Sequence, residues 1–156
     1  MSNKQPETVL LAYFSGTGCT EAVADCFARQ FTERGIRAQT VNIPFAGLDS
    51  HGMVKSADLL IILSPVYAFR LASIVEQWVR KLPAGDHTPS AVVAVSGGGE
   101  VSPNTACRLR VKRLLTRKNY RVCYETMFVM PSNFATPTHP EVAAQLFRVL
   151  PTKVND

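Results

Sequence analysis

No apolar run in this 156-residue chain approaches the roughly 18 residues that a membrane-spanning helix needs. The start, Met1-Ser2-Asn3-Lys4-Gln5-Pro6, is polar. Neither a membrane span nor a secretory signal is expected, and the chain reads as cytoplasmic. Cysteine is sparse and scattered. Cys19, Cys26, Cys107 and Cys123 stand too far apart for a metal or cluster framework, and they read as reduced thiols. With no internal repeat, low-complexity tract or linker, residues 1–156 are expected to form one domain. No Gly-x-x-x-x-Gly-Lys-Ser/Thr occurs, which excludes a P-loop. His51, His87 and His139 are isolated, without zinc-ligand spacing, and nothing pairs Asp58 with Asp86 as acid and base.

Lysine and arginine are also missing between Lys4 and Arg29, and that gap contains the stretch on which the chain is organised. An apolar run over residues 9–14 ends in Tyr13-Phe14-Ser15-Gly16-Thr17-Gly18-Cys19-Thr20-Glu21, after which a helical pattern begins. This reads as strand, anion-binding loop, helix. Gly16 and Gly18 let the backbone turn its N–H groups inward, and the helix start adds unpaired amides and a positive dipole end. The hydroxyls of Ser15, Thr17 and Thr20 complete the cage. A phosphate here would meet donors and dipoles rather than a cation. The glycine expected at position 21 of a dinucleotide fingerprint is replaced by Glu21. The plainer reading is a Ser/Gly turn that caps a helix.

Taken in order, residues 8–14 form a continuous apolar strand, as when helices cover both sheet faces. Val23, Cys26, Phe27 and Phe31 recur at helical spacing over residues 20–34, with Gly35 as a left-handed cap. Residues 37–43 read as a strand stopped by Pro44, and 45–57 as a loop with one or two helical turns. Residues 58–63 are a buried strand that Ser64-Pro65-Val66-Tyr67-Ala68-Phe69 breaks. Leu71, Ile74, Val75, Trp78, Val79 and Leu82 form a helical stripe, with Glu76 and Arg80 paired on the solvent side. Residues 91–95 are a fourth strand running into Ser96-Gly97-Gly98-Gly99-Glu100. Ser102 and Pro103 then read as the cap and first turn of a helix ending at Asn119. Residues 122–130 are a fifth strand, 131–140 a loop, and 140–150 a short helix. Residues 151–156 read as a polar tail, with the alternative that they start a longer helix which a full-length protein would lay over strand 5.

Five alternating strands and helices predict an α/β fold, a three-layer α/β/α sandwich on a five-stranded parallel sheet in the order 2-1-3-4-5. Its crevice lies where the order reverses, at the carboxyl ends of strands 1 and 3. The loops at 15–20, 64–70 and 96–104 all follow strands to that edge.

The pattern Ser15-x-Thr17-Gly18-x-Thr20 resembles the flavodoxin phosphate loop. Ser64-Pro65-Val66-Tyr67 and Met130-Pro131-Ser132-Asn133 are similar to the flavodoxin domain of flavodoxin/ferredoxin fusion electron-transfer proteins. The resemblance implies FMN, with Ser15, Gly16, Thr17, Gly18, Cys19 and Thr20 on the phosphate. It places Pro65, Val66, Tyr67, Ala68 and Phe69 along one side of the isoalloxazine and Ser96, Gly97, Gly98 and Gly99 along the other. Tyr67 supplies a flat apolar partner for the ring; its plain alternative is a surface tyrosine, and Phe69 reads equally as a rim residue. The glycine run admits a ligand or merely connects strand to helix. Cys19 replaces the family's usual asparagine, and the loop after strand 4 lacks the usual aromatic. One flavin face is thereby left open, or covered by Phe134 or a partner. No Cys-x-x-Cys-x-x-Cys run is present, so an iron-sulfur partner is expected to be a separate molecule or a missing segment.

Net charge is +5 with pI about 9.2. Arg108, Arg110, Lys112, Arg113, Arg117, Lys118 and Arg121 lie in a stretch free of acidic residues. They read either as a solvated helix exterior or as a docking face for an acidic partner such as a ferredoxin, on the basic helix between Arg108 and Lys118. No nucleic-acid motif accompanies them. Cys107 and Arg113 have the spacing of a phosphatase loop but fall in a helical pattern rather than a glycine-rich turn. The expected function is an FMN electron carrier. The alternatives are an NAD(P)H-dependent FMN oxidoreductase and a flavin-free binding module of the same fold.

Overall fold

The computed structural model describes residues 5–46, 50–133 and 136–155. Its strands are β1 (Thr8–Tyr13), β2 (Arg37–Asn42), β3 (Leu59–Tyr67), β4 (Arg70–Leu71), β5 (Pro89–Ser96) and β6 (Arg121–Val129). Its helices are α1 (Cys19–Glu33), α2 (Ser50–Ser56), α3 (Ser73–Lys81), α4 (Leu109–Arg117) and α5 (Pro140–Asn155). Single 3-10 turns occupy Ile43–Phe45 and Asn104–Ala106. The sheet order is β2-β1-β3-β5-β6, every neighbouring pair parallel. With the hairpin strand β4 set aside, this is the expected 2-1-3-4-5 order.

Alternation along the strands decides the layers. Leu10, Ala12, Leu60, Ile62, Val92 and Ala94 point to one face, where Val54 of α2, Val75 and Val79 of α3, and Val111 and Leu115 of α4 cover them. Val9, Leu11, Ile61, Leu63, Val93 and Val95 point to the other, under Val23 and Cys26 of α1 and Leu150 of α5. Two packed faces explain why these strands read as unbroken apolar runs. The caps at Gly35 (φ 76°) and Asn119 (φ 64°) are left-handed as expected.

Four local readings are corrected. β3 does not stop at Leu63 but continues through Pro65 to Tyr67, because β1 has already ended at the Tyr13–Leu63 pair and offers no ladder for Pro65 to interrupt. It then folds back on β4 through the two-residue turn Ala68-Phe69. Ser102 caps no helix: Asn104 is held against the preceding loop, and α4 starts only at Leu109. Residues 151–155 are helical rather than a tail. Leu150 is buried, Val154 packs on the α1 side, and Arg34 bonds to Asn155, so α1–α5 packing offsets the helix disruption of Pro151. Glu76 does pair with Arg80, at 3.8 Å, but its side chain is only 6% exposed and lies inside the interface rather than on the solvent side.

Candidate functional site

At the carboxyl end of β1 the chain turns through residues 15–18 into α1. The Gly18 N–H donates to Ser15 Oγ at 3.0 Å, and Gly18 itself is left-handed (φ 94°), which opens the loop and starts the helix. The first bond to bring α1 back onto the loop runs from Ala22 N–H to Gly18 O at 2.9 Å. The amides of Gly16, Thr17, Cys19, Thr20 and Glu21 have no acceptor among the described residues. Gly16, Thr17 and Gly18 are exposed, whereas Thr20 is buried. The result is a row of free donors at a helix N-terminus.

Beneath the loop, the Tyr13 hydroxyl donates to Glu21 Oε1 at 2.9 Å. Burial, reinforced by Glu21, pushes the pKa of that hydroxyl up to about 12, so Tyr13 stays a donor at any physiological pH. Cys19 is half-buried with its thiol directed at Pro131 O, 3.6 Å away. Burial raises its pKa, although the Thr17 hydroxyl beside it pulls the other way, and the group is held as a thiol.

Tyr67 closes one side of this loop. A methyl group at Gly16 would lie 2.5 Å from the Tyr67 hydroxyl oxygen, so only glycine lets the tyrosine rest there. The Tyr67 ring meets Phe14 edge-on, with centroids 6.5 Å apart. Tyr67 and Phe69 are both exposed at the hairpin. Its base is fixed by Ala72 N–H, which donates to Ser64 Oγ at 3.0 Å and to Pro65 O at 3.3 Å. The turn residues Ala68 and Phe69 have φ of 47° and 63°, a left-handed pair usually filled by asparagine and glycine.

The loop after β5 is shaped from within. Buried Asn104 donates from Nδ2 to Ser96 Oγ (3.3 Å) and to Gly99 O (3.0 Å), and Gly98 N–H donates to Ser96 Oγ (3.2 Å). Gly97 owes its identity to the protein rather than to a ligand, since a methyl group there would lie 2.4 Å from Ser132 Cβ. Residues 130–133 thus brace two loops, touching Cys19 on one side and Gly97 on the other. The structure brings residues 15–20 and Tyr67 into contact, and joins 96–99 to them through that brace. Phe134 lies outside the described residues.

No known protein-family pattern matches this chain, and no curated protein matches its sequence. Solved structures do match. The two-electron reduced flavodoxin of Megasphaera elsdenii superposes with a TM-score of 0.62 at 18% identity, over 95% of this chain and 99% of that one. A mutant flavodoxin from Pseudomonas aeruginosa gives 0.62 at 16%, over 96% and 99%. A putative quinone reductase from Klebsiella pneumoniae gives 0.64 at 12%, over 96% and 84%. The fold is flavodoxin-like. At such identities the likeness is one of fold, and the site rests on this chain's own residues.

Sequence reasoning assigned no role to Asn104, Ser132 or Phe14, although it quoted the first two within the 96–104 loop and the Met130–Asn133 motif. Asn104 bonds five and eight residues back through a loop, and Ser132 packs across from another strand, so neither leaves a periodic signal. The basic helix is also different from the expected row. Arg108 is buried between Glu100 and Glu125, the latter at 3.1 Å, and Lys112 meets Glu125 at 2.6 Å. Burial raises Glu125, but the bonds from Lys112 and Arg108 outweigh it and leave the carboxyl below its usual range. Arg108 and Lys112 therefore belong to a paired network on the β6 side. The Cys107 thiol is buried and raised by that burial, which leaves it unsuited to act as a nucleophile.

Proposed function

We propose that this chain binds FMN and works as an electron-transfer protein of flavodoxin type. The row of five unpaired amides at residues 16–21, gathered at a helix N-terminus in a stretch of sequence without Lys or Arg, supports this reading most directly. Such a row suits a dianionic phosphate, because each N–H offers a directed donor and the helix end adds favourable potential. The residues present fit the group: Gly16, Thr17, Gly18, Cys19 and Thr20 hold the phosphate, Tyr67 offers its ring to the isoalloxazine, and the amides of Gly97 and Gly99 stand ready along the other edge. When bound, the flavin supplies one- and two-electron redox chemistry. The chain supplies phosphate grip, orientation of the ring and exclusion of water by Phe14 and Tyr67.

Electrons would pass to or from a separate acidic redox protein of ferredoxin type, a partner that the basic charge favours. A second reading, an NAD(P)H-dependent FMN oxidoreductase, is favoured by one observation. Residues 96–104 bring no aromatic side chain over the crevice, and an uncovered ring face suits hydride transfer.

Titration of the apo-protein with FMN, followed by flavin fluorescence and calorimetry, tests the proposal. Thr17→Ala with Thr20→Ala is expected to weaken binding by about 3 to 6 kcal/mol, since hydrogen bonds to charged groups contribute about 1.5 to 3 each. No saturable FMN binding by the parent protein would leave a flavin-free binding module.

A further inference from the structure

Glu76 stands in the first turn of α3 with its carboxylate buried, and three guanidinium groups converge on it. Arg110 Nε lies 2.9 Å from Oε2, Arg70 Nη2 3.4 Å from Oε1, and Arg80 Nη2 3.8 Å from Oε2. Burying one carboxylate is costly unless it is paired, and these partners more than meet the need. Three positive charges against one negative leave two in excess at a single point. The arginine side chains of Arg70, Arg80 and Arg110 remain 57%, 44% and 50% exposed, so the excess faces outward while Glu76 holds the forks in place.

The position matters as much as the charge. Arg70 pairs with Tyr67 across the β3–β4 hairpin, and the Tyr67 hydroxyl rests on Gly16. Arg110 stands in the first turn of α4, which like α3 begins at the carboxyl edge of the sheet. The cluster therefore adjoins the crevice. Phe69 and Leu109, each next in sequence to one of the arginines, are 57% and 44% exposed. Arginine beside an exposed aromatic side chain is a composition enriched at protein interfaces, and Leu109 adds apolar area next to it. Of the other cations in this region, Arg113 lies midway along α4, while Arg117, Lys118 and Arg121 sit at its far end and the start of β6, at the amino edge of the sheet.

We propose that Arg70, Arg80 and Arg110, organised by Glu76 and flanked by Phe69 and Leu109, form the docking surface for a protein partner that presents clustered carboxylates around an apolar contact. The surface stands on its own geometry; its use in electron transfer rests on the FMN reading above. It replaces the full row from Arg108 to Lys118 with a smaller cluster at the crevice, because Arg108 and Lys112 are committed to Glu100 and Glu125.

The test measures fluorescence anisotropy of a fluorescein-labelled octaglutamate peptide at about 0.1 M ionic strength, where charges at the opposite edge are screened, with FMN-loaded and FMN-free protein. Arg70→Gln with Arg80→Gln retains the shortest pair, Arg110 to Glu76, and is expected to raise Kd about tenfold, the upper part of the range for two exposed charge pairs. Arg117→Gln with Arg121→Gln removes equal charge from the opposite edge and is expected to change Kd less than about twofold. Thermal melting checks that each variant folds; Arg70→Gln alone serves if the double variant does not. Equal loss in the two pairs, no peptide binding by the parent, or NADPH held through the same arginines in place of the peptide would each overturn the surface. Peptide binding that depends on Arg70 and Arg80 in a chain that takes up no FMN would keep the surface and remove the flavin.

Discussion

Gly16 and Gly97 occupy equivalent places, each just past a strand, yet different contacts hold them. At Gly16 the obstacle to a side chain is the far end of Tyr67, an exposed ring free to swing outward. At Gly97 it is Ser132, with Cβ at 2.4 Å and Cα at 3.3 Å of the added methyl, in a segment tied by reciprocal bonds to Thr138. Gly97→Ala is expected to destabilise the fold by about 1 to 3 kcal/mol, as overpacking does, and Gly16→Ala by less than about 1 kcal/mol, while displacing Tyr67 from the loop. Urea denaturation of both variants checks this, and equal costs would show that Ser132 yields as easily as Tyr67. Asn104 belongs to the same scale. One amide group, bonded to Ser96 and Gly99, gives the third loop the shape that three successive glycines leave open.

Among elements, the β3–β4 hairpin is where local preference and structure disagree. Alanine and phenylalanine at φ 47° and 63° occupy a conformation that costs an L-residue about 1 to 2 kcal/mol, and strain of this kind gathers at functional loops. Ala68→Asn with Phe69→Gly, the residues a type I′ turn prefers, is expected to stabilise the protein by about 1 to 2 kcal/mol. The midpoint of chemical denaturation measures it; a midpoint that stays put or falls would show that the turn carries no strain. The same variant removes Phe69 from the proposed docking surface but keeps its three arginines, so unchanged octaglutamate binding alongside higher stability is the expected pairing. α4 shows a related division of labour. Its first turn sends Arg110 to α3, and the residue before it sends a buried guanidinium to β6. Arg113 and Arg117, further along, are exposed.

For the whole molecule, the parallel order β2-β1-β3-β5-β6 carries three loops to one edge of the sheet, with residues 15–18 at the strand-order reversal between β1 and β3. If that loop anchors the ligand, affinity depends on the phosphate. FMN at a hundred times its Kd stabilises a native state by about 2.7 kcal/mol, which for a chain of this size raises Tm by about 5 to 10 °C. Riboflavin, with the same ring and no phosphate, is expected to raise it hardly at all. Differential scanning calorimetry with each ligand decides the matter, and equal shifts would place recognition on the ring rather than on residues 15–20.

The amino-acid sequence by itself determined the layers, the strand order and the place of the Gly-Thr-Gly loop after the first strand. Apolar runs long enough for one strand each, helical stripes between them and a Gly-Thr-Gly turn are local patterns, and right-handed crossovers leave them few ways to assemble. Left-handed caps at Gly35 and Asn119 were equally local and equally readable. Tertiary structure alone decided which charges are spent and which are offered. Glu76 reads as a solvent-side partner of Arg80 until α4 and the hairpin close over it, and Arg108 reads as part of a basic face until Glu100 and Glu125 enclose it. Burial of a charged group is set by segments distant in the chain. A spacing rule written along one helix contains nothing of what lies across from it, and so the cluster of Arg70, Arg80 and Arg110 around Glu76 became visible only once the elements were packed.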